Sequence, residues 1–169
     1  MSTALALYTL LHVVLSLVGI FSGLLTVGGF VAGKRLDGWA NVFLVTTVAT
    51  NVGGFGFPFE KFLPSHAVAI VSIMVLTVLI VARYFRYLAG PWRGVYVITS
   101  VLALYLNVFV LLAQLFLRLP ALIAVAPTQK EPPFVATQVL VLALFVWLGA
   151  AAVRGFRAAP TASAATVRG

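Results

Sequence analysis

Apolar runs long enough to cross a bilayer follow one another through almost the whole chain. Each is cut off by basic residues or a proline. A spanning helix needs roughly 20 mainly apolar residues, because the hydrocarbon core is about 30 Å thick. Five runs meet that need: residues 4–32, 39–59, 65–82, 95–118 and 134–153. Lys34-Arg35, Glu60-Lys61, Arg83 with Arg86, and Arg118 with Pro120 close the first four. The fold class that follows is all-α: a polytopic transmembrane helical bundle of five spans. It forms one domain over residues 1–157, with 158–169 a disordered tail. A four-span arrangement requires one run to be re-entrant, and the length of the last run is near the minimum.

Composition points the same way. Only 8% of the residues are charged, whereas a soluble domain carries roughly 25% to cover its surface. Mean hydropathy is +1.15. The formal net charge of +8 does not indicate nucleic-acid binding, because the basic residues lie between apolar runs and not on one face or in an arm. Their distribution reads as topology control. Lys34, Arg35, Arg83, Arg86, Arg93, Arg154, Arg157 and Arg168 belong to one side, and Lys61, Arg118 and Lys130 to the other, eight against three. The positive-inside rule then sets the N-terminus outside and the C-terminus in the cytoplasm. Met1 to Leu11 lacks a basic leader and an A-x-A site, so it reads as the start of a retained helix. Absence of cysteine removes disulfides, thiolate nucleophiles and cysteine-bound clusters together.

Polar groups inside lipid are costly, so their positions carry the most information. In the first run His12, Ser16, Gly19, Gly23 and Thr26 recur at steps of three and four and share one stripe. Ser16, Gly19 and Gly23 form a helix-packing seam with a GxxxG spacing that lets backbones approach. The second run carries Thr47, Asn51 and Gly54 on one face. It ends in Gly-Phe-Gly-Phe-Pro-Phe at 54–59, where glycine and proline predict a bent or unwound exit. His66 follows Pro64 and Ser65, a capping position. Ser100, Asn107, Gln114 and Arg118 line the fourth run, and Gln138 lies about a turn inside the fifth. A stiff loop with prolines at 127, 132 and 133 carries Lys130 and Glu131.

Under this topology His12, Asn51, Glu60, His66, Gln114, Arg118, Gln138 and Glu131 all fall in the outer half. The cytoplasmic half is expected to hold almost nothing polar beyond its basic rim. The candidate ligand-binding set is His12, Asn51, His66, Asn107, Gln114, Arg118, Glu131 and Gln138, around a pocket opening outward. No metal site and no catalytic residue can be named: HExxH, a Ser-His-Asp order and paired aspartates are all missing.

Several segments resemble small multi-pass inner-membrane proteins of bacteria. They are Leu11-His12-Val13-Val14-Leu15-Ser16-Leu17-Val18-Gly19, the run at 54–59, Leu63-Pro64-Ser65-His66, Leu104 to Val110 with Gln114, and Ala126-Pro127-Thr128-Gln129 before Glu131-Pro132-Pro133-Phe134. The resemblance covers about residues 10–157. It implies a bacterial inner membrane and brings no activity. A looser likeness is to cytochrome b-type haem bundles, whose paired-histidine pattern is not matched by two histidines at different depths.

Three function classes stay open. The first is a non-enzymatic bundle binding a partner subunit, a lipid or a small apolar ligand through the outer half, alone, as a homo-oligomer or within a larger complex. The second is a redox protein holding haem or quinone near His12 and His66. The third is a transporter or channel subunit, which lacks visible inverted repeats and mid-membrane acids. An intramembrane hydrolase has no supporting motif.

Overall fold

The computed structural model describes residues 3–57 and 64–158, and every described element is helical. The order is α1 (Thr3–Val31), α2 (Asp37–Gly54), α3 (Pro64–Ile80) running into a π-turn (Val81–Phe85), α4 (Trp92–Arg118), a short α5 (Pro120–Val125) and α6 (Pro132–Ala158). Glu60 and the tail beyond 158 lie outside the described residues, as does the segment 58–63 that would show how the second run ends.

Four helices are long and apolar enough to cross a membrane: α1, residues 66–85, α4 and residues 132–157 of α6. The expected second span, α2, is not among them. Asp37, Asn41, Thr46, Thr47, Thr50 and Asn51 dilute its apolar content, and its 18 residues cover only about 27 Å. It nonetheless lies along α1. Gly19 faces Thr46 and Thr47, Gly23 faces Phe43, and Tyr8 reaches Gly53. The polar side chains of α2 point at neighbouring helices, where Thr46, Thr47 and Asn51 are buried.

The long helices alternate in direction. Arg83 of the π-turn meets Asp37 and Tyr96, Phe116 meets Phe134, and Phe30 meets both Tyr96 and Phe156. One end of the bundle therefore gathers the C-terminal ends of α1 and α6, the N-terminal ends of α2 and α4, and the π-turn. We call it the basic end, since Lys34, Arg35, Arg83, Arg86, Arg93, Arg154 and Arg157 all belong to it. The opposite, far end holds Tyr8, His12, Phe57, His66, Gln114 and Glu131.

Local signals explain the element ends. Gly33 has a φ of 68°, and the Lys34 N–H donates to the Gly29 carbonyl at 2.8 Å. That is the left-handed glycine cap of a helix terminus. Asp37 stands in the first turn of α2, where a carboxylate meets the positive end of the helix dipole. Pro120 opens α5 at a position that needs no N–H. α5 lies between the fourth apolar run and the proline-rich loop, in a stretch for which the sequence reading named no element. The last span also proves longer than its sequence run, since α6 continues through Arg154 and Arg157. Long cationic side chains can extend a helix past the apolar core because they reach back to water.

Packing is uneven along the bundle axis. α1 has no buried residue among 3–18, and then buries Gly19, Ile20, Ser22, Gly23, Thr26, Val27, Gly29 and Phe30. α4 buries Tyr96, Val97, Ser100, Val101, Ala103 and Leu104, whereas every residue from Tyr105 to Leu115 is partly exposed. The dense core thus sits toward the basic end. Toward the far end the helices stand apart enough that all faces of α4 are partly uncovered.

Candidate functional site

The far end carries the polar residues singled out from sequence, and they fall into separate groups. Asn107 Nδ2 donates to Thr47 Oγ1 at 3.2 Å, joining α4 to α2, and Asn51 Nδ2 donates to the Thr47 carbonyl at 2.8 Å. Asn51, Thr47 and Asn107 therefore form one cluster. His12 packs edge-on against Phe57 at 5.1 Å and lies beside Gly53 and Gly54. The Tyr8 hydroxyl donates to the Gly53 carbonyl at 2.6 Å, and the space left by the missing side chain of Gly56 is filled by the Tyr8 ring end. His66 faces Phe55 at 6.0 Å. The glycine-rich exit of α2 thus receives both histidines, each on a different phenylalanine.

The remaining far-end residues lie further apart. Arg118 Nε donates to Gln114 Oε1 at 3.2 Å on the exposed flank of α4. Glu131 stays within its own loop, accepting from Thr128 Oγ1 at 2.8 Å and from the N–H groups of Thr128 and Lys130. Desolvation pushes its carboxyl up, but these donors outweigh it and hold it below the usual carboxylate range. Gln129 reaches the Ala113 carbonyl at 2.7 Å and ties the same loop to α4. Gln138 Nε2 donates to the Phe109 carbonyl at 3.3 Å.

Two buried polar atoms at this level have no partner among the described residues: Gln138 Oε1 and Thr50 Oγ1. Thr47 stands opposite Asn107. Thr50 is therefore about 4.5 Å further toward the far end, and Phe109, the contact of Gln138, is about 3 Å further. By helical rise both lie within about one turn of the Thr47–Asn107 contact, on its far side. A buried polar atom without a hydrogen bond costs about 1–3 kcal/mol, so each marks a place where water or a ligand group belongs.

The seam of α1 lies where its spacing put it. A Cβ on Gly23 would sit 2.7 Å from Leu104 and 2.9 Å from Phe43, and one on Gly19 would sit 3.2 Å from Thr46 Oγ1. Ser16 is half-buried and donates to the His12 carbonyl.

The basic end departs from expectation, because it is not an apolar half with a charged rim. Arg83 is buried, with 6% of its side chain exposed. Its guanidinium donates to Tyr96 Oη at 2.9 Å, Asn41 Oδ1 at 2.7 Å and Asp37 Oδ1 at 3.2 Å. The Tyr84 hydroxyl donates to the same Asn41 oxygen at 3.1 Å. The π-turn carries this residue, and the Arg86 N–H reaches back five residues to the Val81 carbonyl. Asp37, Asn41 and Tyr96 are the site residues that sequence reasoning passed over. A signal was present: Ser72, Leu76, Leu79 and Arg83 recur at steps of four, three and four, so Arg83 continues the buried stripe of α3. Among the described residues no group of three or more histidines and carboxylates is placed to hold a metal ion.

No family model, no curated protein and no solved structure matches this chain. The geometry supports an all-helical bundle with several long apolar helices consistent with a polytopic membrane protein.

Proposed function

We propose that this chain is a five-span integral membrane protein that works by binding, receiving a small amphiphilic ligand or a partner's polar side chain in the loosely packed far half. The observation that carries this reading is the pair of unpartnered buried atoms, Gln138 Oε1 and Thr50 Oγ1, beside a stretch of α4 that is partly exposed on every face. Asn107, Asn51 and His12 lie on the elements that border it, and Gln114 and Arg118 stand nearer the surface. The dense basic end acts as the fixed part of the scaffold. In this reading α2 completes the fifth span, screened by the helices that bury its threonines and asparagines. We take the membrane to be a bacterial inner membrane, from the resemblance of the quoted segments, and the basic end to be cytoplasmic, from the positive-inside rule.

Gln138→Leu tests it. The Gln138 oxygen is unpaired and its nitrogen makes one 3.3 Å bond, so an apolar side chain of similar size should change the stability of the fold little, whereas a ligand held by Oε1 is lost. Native mass spectrometry of the purified protein should show a bound small molecule or partner in the wild type and none in the variant, with the thermal midpoint little changed. Equal occupancy in both proteins would sink the proposal.

A second reading, a redox bundle, is favoured by one observation: the exit of α2 brings Phe57 against His12 and Phe55 against His66. Haem held by these histidines gives a Soret band that shifts on dithionite reduction and is lost in His12→Ala. A spectrum with aromatic absorption alone removes haem and leaves quinone to be sought by extraction.

A further inference from the structure

A groove of about 510 Å³ runs between α4 and α6 on the side away from α1 to α3, separate from the far-half polar cluster. Val101 and Tyr105 form one wall, and Phe145, Gly149 and Val153 form the other. Arg154 closes it at the basic end. Of the four helices apolar enough to cross a membrane, α6 is the least covered, with 11% of its apolar window buried against 39% for α4.

We propose that this groove is a binding site for one acyl chain of an anionic phospholipid, with its phosphate held by Arg154 and Arg157. Three observations support that occupant. The first is length: the α6 wall from Leu142 to Arg154 covers about 18 Å, close to the roughly 15 Å depth of one leaflet's hydrocarbon. An acyl chain lying in the groove therefore brings its headgroup to the arginine.

The second is charge. Arg154 lines the groove at its basic end, and Arg157 follows one helical turn further along α6, within reach of Gly94 of α4. Of the described carboxylates, Asp37 is held by Arg35 and Arg83, and Glu131 lies at the far end. Neither forms an ion pair with Arg154 or Arg157. A phosphate is the complementary group, and guanidinium binds it by paired hydrogen bonds.

The third is side. The basic end is the one that the positive-inside rule turns toward the leaflet rich in anionic lipids. A zwitterionic headgroup brings the same phosphate but sets a quaternary ammonium beside the arginines, so it carries no net charge to complement Arg154 and Arg157, and an uncharged apolar molecule carries no phosphate at all.

The test uses the full chain in dodecyl maltoside with phosphatidylglycerol or phosphatidylcholine of identical acyl chains, read by native mass spectrometry. Phosphatidylglycerol should stay bound where phosphatidylcholine is stripped. Arg154→Gln, at an exposed position, should lower phosphatidylglycerol retention about five-fold and phosphatidylcholine retention by less. Ala150→Trp, which fills the groove from its exposed rim, should lower retention of both lipids. Equal retention of the two lipids by the wild type, or no effect of Arg154→Gln, overturns the proposal. So does a wild-type dimer that Ala150→Trp converts to monomer without changing lipid retention, because the groove then belongs to a second copy of the chain. None of these outcomes depends on Gln138.

Discussion

Arg83 and Tyr96 are joined by a 2.9 Å hydrogen bond from guanidinium to phenol inside the basic end of the bundle. Tyr96 in turn packs against Phe30 of α1 and Phe156 of α6, at 5.4 and 6.3 Å between ring centroids. A single cation thus links the π-turn after α3 to α4, and through that ring to α1 and α6. The other arm of the guanidinium holds Asn41 and Asp37 at the start of α2. All five long helices meet through this residue and its immediate partners.

Removal of that cation should loosen the whole basic end. Arg83→Met takes the guanidinium from Tyr96 and Asn41, while the Tyr84 hydroxyl keeps its bond to Asn41. Hydrogen bonds to charged groups are worth about 1.5–3 kcal/mol each on deletion. Half of the Asp37 side chain is exposed, so its share is screened by water and counts for little. The bonds to Tyr96 and Asn41 together set the expected loss at about 3–6 kcal/mol, read as a lower thermal midpoint in detergent. Arg83→Lys should recover only part of it, because an ammonium cannot span three acceptors as a planar guanidinium does. A Lys variant as stable as the wild type would show that charge alone suffices.

Close helix approach gives a ranking among glycines. A Cβ on Gly155 would sit 2.6 Å from the Phe30 carbonyl oxygen and still nearer that of Val31. Those are backbone atoms and cannot swing away. At Gly23 the obstacles are the ends of Leu104 and Phe43, and at Gly19 they are threonine hydroxyls at 3.2 and 3.3 Å. Overpacking of a dense interior costs about 1–3 kcal/mol. Alanine should therefore destabilise most at 155, less at 23 and least at 19, by thermal denaturation. Leucine at 23 exceeds what side-chain adjustment absorbs and should block folding or reduce yield sharply.

The small-residue seam was legible because glycine at steps of three and four has few meanings in an apolar helix. Gly155 was not, since Ala150, Ala151, Ala152 and Ala158 put small residues on several faces of this stretch and single out no one stripe. Its role comes from where α6 happens to cross the end of α1. Arg83 was concealed differently. A basic residue after an apolar run reads as a helix stop, and that reading hides the one arginine whose stripe points inward. Asp37, Asn41 and Tyr96 matter only through tertiary contact with it, which no local pattern records. The polar character of the second run was visible in its threonines and asparagines. Its consequence, a helix too polar to qualify as a span by itself, depends on which of them neighbouring helices cover. The far-half residues were found one by one, but their division into an Asn51–Asn107 cluster, a histidine pair at the exit of α2 and an isolated Glu131 loop is a property of helix placement.

The loop before α6 should respond to acid. Desolvation is the largest single influence on the Glu131 carboxyl and raises it, but the hydrogen bonds from Thr128 and Lys130 together outweigh it and hold the group below its ordinary value. A carboxylate whose folded pKa is depressed stabilises at pH above its unfolded value and loses that contribution as pH falls through the folded one. Amide exchange at Thr128 and Lys130, corrected for intrinsic rates, should be slow at neutral pH and accelerate below the ordinary carboxylate range. In Glu131→Gln the loop should exchange at one corrected rate throughout. An unaltered pH profile in that variant would place the titration elsewhere.

Side-specific labelling decides both the orientation and the role of α2. If α2 completes a fifth span, the loop after α1 and the turn after the π-helix share one face of the membrane, and the loop before α6 lies on the other. Thr128 and Tyr87 are exposed on those two loops, the latter at 82%, and Lys34 is exposed on the first. The native chain has no cysteine, so single substitutions give clean signals. In intact cells a membrane-impermeant maleimide should modify Thr128→Cys and spare Lys34→Cys and Tyr87→Cys, which react only after permeabilisation. The reverse pattern means that the basic end faces outward, and the lipid leaflet assigned to the arginine groove changes with it. Labelling that puts Lys34→Cys with Thr128→Cys and apart from Tyr87→Cys means that α2 does not cross. Four spans would then carry the chain, and the buried bond from Arg83 to Asp37 would have to form across a re-entrant helix.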